Sequence, residues 1–130
     1  MTLMLETGLT HTSHLLVDEQ QTAIARGSGD MPVLATPAMM ALMENAAMLA
    51  VAAHLPEGTT TVGGHIESSH LCPTPVGAEV TATATLDKMD GRKLYFSVSA
   101  HQGETLLGEG KHLRFIVDRE RFMSKVQSAV

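Results

Sequence analysis

One carboxylate stands inside the most apolar stretch of the chain. Beyond Pro37, every residue up to Ala53 is Ala, Met, Leu or Val except the adjacent pair Glu44 and Asn45. A carboxyl group among apolar side chains costs free energy unless it is paired or hydrogen-bonded. Burial also raises a carboxyl pKa, which suits general-base or nucleophilic work near neutral pH. Glu44 is therefore a candidate reacting group. The plainer alternative is a carboxylate that reaches solvent through a gap in its covering, or one that pairs with an arginine such as Arg114. Thr36, Met40 and Glu44 recur at i, i+4 and i+8, so a hydroxyl and a carboxylate lie toward one side of a helix.

The chain has seven histidines. His70 ends the polar run ESSH just before the breaker LCPTPVG, and is an acid/base candidate. A lone histidine at a strand end is more often a surface or satisfied residue. His65, His70 and Cys72 raise the question of zinc. The two histidines are five apart, so they point to opposite faces of a continuous strand, and no second ligand pair is in view; no metal is expected. Gly63 and Gly64 inside a strand mean a bulge or a close backbone approach to a ligand, or a bend needed only for curvature. No GxSxG, Walker or GxGxxG pattern occurs, Cys72 has no activating partner nearby in sequence, and no cofactor is implied.

These groups need elements to hold them. Residues 8–17 read as a first strand, and ARGSGDMPVLA as a loop. Thr36 as N-cap and Pro37 at the first helical position open a long helix, which Pro56 and Gly58 stop near His54 or Leu55. Strands follow at 59–70, 80–86, 94–101 and about 105–117. The middle two alternate strictly, and Asp90-Gly91 and Gln102-Gly103 mark turns. The tail RERFMSKV reads as a short helix. One central helix plus an antiparallel sheet is an α+β design, with the sheet wrapped around a helix apolar on nearly all sides. Such a subunit has little room for a deep internal pocket, so a site between subunits, and a dimer, are expected.

Bulk properties narrow the function. With 130 residues and 44% hydrophobic content, a single domain over 1–130 is expected. A net charge of -5 and only four aromatic residues, three Phe and one Tyr, argue against a nucleic-acid partner. The apolar run carries Glu44 at its centre and has no flanking basic residues, so no membrane span is expected. A lone cysteine and an N-terminus without signal-peptide features suit the cytoplasm.

Three motifs in order carry a resemblance: ATP-x6-ME, then EG-x4-GG-x5-H-x2-PTP-x-G, then GKHLRFIVDRERF. From about residue 8 to 126 the chain resembles the hotdog-fold thioesterases, and among them the fluoroacetyl-CoA thioesterase group. The resemblance implies a long helix wrapped by an antiparallel sheet, dimers (with tetramers open) whose sheets join, and an active site at the dimer interface. It implies hydrolysis of an acyl-CoA substrate, with Glu44 as nucleophile or general base. Thr36 would orient that carboxylate or the substrate, and His70, arriving from the other subunit, would shuttle a proton. Gly63, with Gly64 beside it, would lie against the acyl group, and Arg114 would hold the geometry. Met31 and Leu34 stand where the fluoroacetyl-specific enzyme has lid phenylalanines. The resemblance therefore supports hydrolysis more than a preference for a fluorinated acyl group. Met40, Met31 and Leu34 are candidates to line the acyl pocket. A hotdog hydratase or dehydratase, or a protein that binds acyl-CoA without turnover, are the competing readings.

Overall fold

A computed structural model describes residues 4–130. The elements run β1 (Thr10–Leu16), α1 (Ala23–Arg26), α2 (Thr36–Ala52), β2 (Thr59–Ser68), β3 (Glu79–Asp90), β4 (Lys93–Gln102), β5 (Thr105–Asp118) and α3 (Arg119–Ser128), with a short 3-10 turn at Glu19–Gln21. The strands form one antiparallel sheet in the order β1-β3-β4-β5-β2. The period-two pattern is obeyed closely. Val80, Ala82, Ala84 and Leu86 of β3 and Leu94, Phe96, Val98 and Ala100 of β4 are all buried, while the residues between them face outward. Gly91 and Gly103, at φ 60° and 58°, close the β3–β4 and β4–β5 hairpins in the left-handed region that glycine reaches without penalty.

Helix α2 lies against the sheet, chiefly β1 and β3. It buries Ala38, Met39, Leu42, Met43, Ala46, Ala47, Ala50 and Val51. The opposite side, with Thr36, Pro37, Ala41, Asn45 and Leu49, is exposed. The single chain thus leaves uncovered a helix face that composition alone marks for cover on most sides.

Three local expectations are corrected. The N-cap of α2 is Ala35, and it makes no side-chain cap bond; Thr36 is already helical, because its hydroxyl is engaged elsewhere. The helix ends at Ala52, two or three residues earlier than the proline and glycine signals suggest. Strand β3 runs to Asp90, longer than its alternating core, because a register shift near Asp87 lets the hairpin continue. Among the described residues no helix is long and apolar enough to cross a membrane.

Candidate active site

The Thr36 hydroxyl and His70 Nδ1 lie 2.7 Å apart in the same chain. Thr36 comes from the first turn of α2 and His70 from just beyond β2. What brings the second residue in is a close backbone approach. Ser69 N donates to Glu109 O and Leu71 N to Leu107 O, so the segment after β2 stays clamped to β5. The approach is possible because β5 carries glycines opposite: a Cβ on Gly108 would strike Ser69 O, and one on Gly110 would strike Glu67 O. His70 Nε2 is buried and, among the described residues, has no hydrogen-bond partner. Burial holds the His70 pKa below its ordinary value, with the Cys72 backbone acting the other way. The imidazole is thereby kept neutral, able to accept a proton from a hydroxyl at the pH where enzymes work.

Glu44 is only partly buried, its side chain 42% exposed in the single chain. Its Oε2 lies 3.8 Å from Arg114 Nη1. On its other side is β2. Gly63 pairs with Arg114 and His65 with Leu113, so Gly64 is an extra residue in a bulge. A Cβ on Gly63 would sit 2.9 Å from Glu44 Oε2. The glycine therefore lets the carboxylate approach the strand backbone, beside exposed Gly64 and His65. Asn45, the other polar group in the apolar helix, accepts a 2.7 Å hydrogen bond from Ser13 on β1.

Arg114 is buried, and each of its three guanidinium nitrogens makes a hydrogen bond. Nε donates to the Thr61 hydroxyl at 2.8 Å, Nη2 to Thr61 O at 2.9 Å, and Nη1 to His112 Nε2 at 3.2 Å. An arginine can only donate, so His112 Nε2 must be the unprotonated nitrogen. Nδ1–H then donates to His65 O at 2.7 Å. One tautomer is thus selected by two neighbours, and the histidine fixes the arginine that faces Glu44. Burial lowers the Arg114 pKa, with Glu44 raising it. His112 is likewise held below its ordinary value, by burial first and by Arg114 in addition, against the opposing pull of the His65 backbone and Glu44.

His112 and Thr61 escape a reading for motifs. A signal was present: in KHLRF, His112 and Arg114 occupy alternate positions of a strand, hence one face, which here is the inward one. The two substitutions that test His112 separate its two bonds. His112→Asn keeps a donor for His65 O but leaves Arg114 without its acceptor; His112→Gln sets a carbonyl near the Nε2 position. The asparagine variant should lose about tenfold in kcat/KM, the worth of one charge-assisted bond, while glutamine keeps most of it. Equal losses would mean that the histidine only fills space. For stability the sign is set by the depressed pKa values. Protonation is disfavoured in the folded state, so stability is fully present above pH about 6.5 and is lost as pH falls through the folded values. Thermal unfolding should show Tm dropping in that acid range, and less steeply in His112→Gln, where only the His70 contribution remains.

The remaining candidates are spread more widely. Met40 is half-buried on the α2 face between Thr36 and Glu44. Met31 is 61% exposed in the loop before the helix, whereas Leu34 is 1% exposed and belongs to the core. His65 is exposed, and among the described residues no set of three or more His, Cys, Asp or Glu side chains gathers as metal ligands.

A curved antiparallel sheet against one long helix, bearing a threonine–histidine pair and an arginine-held carboxylate on the helix's open side, has the architecture of the hotdog thioesterase superfamily. A hot-dog-like protein from Thermanaerovibrio acidaminovorans superposes with a TM-score of 0.86 over 96% of this chain and 93% of its own, at 24% identity. The family model for the fluoroacetyl-CoA-specific thioesterase, FlK, matches residues 17–120. The chain belongs to that family. It is 41% identical over 95 residues to the fluoroacetyl-CoA thioesterase of Streptantibioticus cattleyicolor, covering 73% of this chain and 68% of that protein. A solved mutant of the fluoroacetyl-CoA thioesterase FlK, in complex with acetyl-CoA, superposes with a TM-score of 0.91 over 97% of this chain and 99% of its own, at 32% identity.

Proposed function

We infer that this chain is an acyl-CoA thioesterase whose active site is completed by a second copy of itself. Water supplies oxygen to the thioester carbonyl, the C–S bond breaks, and the products are a carboxylic acid and the CoA thiol. Glu44 either attacks the carbonyl carbon with its own oxygen, expelling the thiolate and leaving an anhydride that water then hydrolyses, or takes a proton from the water as that water attacks. The Thr36–His70 pair holds the acyl group and returns a proton to the leaving thiolate. The Gly63–Gly64 bulge offers backbone N–H groups toward the developing oxyanion.

The observation that carries the reading is the carboxylate itself. It is anchored by a buried arginine and drawn against a glycine bulge, an arrangement that passive binding of an apolar acyl chain does not require. Helix geometry supports a second copy. Thr36 and Glu44 stand eight residues apart on α2, about 12 Å of rise, which is more than one thioester group spans. Strand β2, with Gly63 and Gly64, is a ten-residue edge of the sheet and, among the described residues, is paired only to β5. A long free edge beside an uncovered helix face favours joining to a second sheet. The homodimer sets Glu44 of one protomer against the Thr36–His70 pair of its partner. One domain spans residues 1–130, and the free Cys72 suits a reducing, cytoplasmic setting.

Release of free thiol from acyl-CoAs of increasing chain length, fluoroacetyl-CoA among them, tests this. Short acyl groups should be hydrolysed fastest, because Met40 and the bulge leave a shallow site. The exposed Met31, in the loop before the helix, predicts no strong preference for fluoroacetyl over acetyl. Silence across the panel from folded protein would defeat the reading.

A further inference from the structure

The chain is acidic, yet three of its nine Lys and Arg residues line one groove. Arg92 approaches from the β3–β4 turn, and Arg121 and Lys125 stand four apart on one face of α3. Ile116, Val117 and Phe122 make its apolar wall, and its volume is about 270 Å³. Among the described residues, none of the three cations forms an ion pair with an acid. The one carboxylate in the groove, Asp118, is occupied in capping α3, where it accepts from Arg121 N at 2.9 Å. Helix α3 buries none of its residues, so the core does not account for its position. Its first residue is nonetheless tethered, since Arg119 N donates to Gly58 O at 3.0 Å, and the turn that carries Arg92 is tied to β5 by Ile116 N donating to Arg92 O at 2.9 Å.

We propose that this groove binds the 3′-phosphoadenosine diphosphate of coenzyme A, and so makes the protein select CoA thioesters over thioesters on a carrier protein. The proposal rests on the acyl-CoA reading. Distance supports it. The groove includes Thr59, and the site lies at Gly63, four residues along β2 or about 13 Å. The pantetheine arm from sulfur to the first phosphorus has the backbone bonds of about four residues, about 14 Å when extended. A thioester carbonyl at the bulge thus sets the diphosphate beside Arg121. Charge supports it as well: three free cations meet a polyanion, and Phe122, 37% exposed, offers a face for the adenine.

The experiment compares kcat/KM for one acyl group carried on CoA, on 3′-dephospho-CoA and on pantetheine, in the parent and in Arg121→Glu/Lys125→Glu. Both positions are exposed, so the double variant should fold. The parent should favour CoA over pantetheine by about a hundredfold, with the 3′-dephospho form between them. The double variant should lose at least about tenfold of that ratio, mainly through KM. A ratio that the variant leaves untouched, with thioester hydrolysis intact, overturns the groove but not the thioesterase. Hydrolysis of none of the three by the parent overturns both. Faster hydrolysis of the same acyl group on an acidic carrier protein, lost in the variant, would mean that the groove docks that protein instead.

Discussion

Glu44→Gln should retain the fold and bind substrate while hydrolysing it about a thousandfold more slowly, within the range expected when a reacting carboxylate is neutralised. The side chains have nearly the same shape, and Glu44 is only half covered, so unfolding should change little. Its partner would not be stranded either, because Arg114 keeps its bonds to Thr61 and His112. The measurement is initial-rate thiol release on the best acyl-CoA, beside the affinity of the variant for the same ester. Turnover equal to the parent's would refute the assignment of Glu44. A mixture with His70→Ala then tests the two-chain site. If each site joins Glu44 of one protomer to the Thr36–His70 pair of its partner, a mixed dimer holds one intact site, and two inactive proteins should regain activity together. If all three residues acted within one chain, mixing would restore nothing.

Gly110→Ala should cost about 2 kcal/mol of stability, about 8 °C in Tm, and reduce turnover as well. The added methyl would run into the carbonyl of Glu67 and lie 2.7 Å from Ser68 Cα, so the backbone there must move. No flexible side chain can absorb that displacement. Alanine's stiffer unfolded chain returns only about 0.5 kcal/mol. The segment forced aside leads two residues later to His70, so its 2.7 Å contact with Thr36 should open. Thermal unfolding and kcat at a low temperature, where the variant is folded, separate the two effects. A lower Tm with full turnover would show that His70 is positioned by its own loop rather than by the clamp to β5.

Gly63→Ala makes an instructive contrast, since its methyl would crowd the tip of Glu44 alone and would touch His112 and Arg114 at ordinary contact distance. That side chain can swing away, so stability should hardly change.

How legible this was depends on the kind of signal. The presence of the long helix, the alternating faces of the two middle strands and both glycine turns follow from local rules of period and backbone conformation, and were readable in the sequence. The Thr36 N-cap was not, although the residue types were right. Its hydroxyl had a second possible partner, His70, 34 positions away, and tertiary contact won over local capping. The apolar pattern around Glu44 pointed to burial, yet an open helix face leaves the carboxylate half exposed. The pattern states that a face is apolar without saying whether this chain or another covers it.

By itself the sequence determined the class of fold, the elements and the order of motifs that marks the family, because hydrophobic period, turn chemistry and motif spacing are properties of neighbouring residues. Only the tertiary structure decided which groups meet. The β2–β5 pairing sets Gly63 opposite Arg114 across some fifty positions of chain and sends His112 and Arg114 inward behind Glu44. Sheet register and close backbone approach fix those encounters, and both depend on packing between distant segments that no local pattern records.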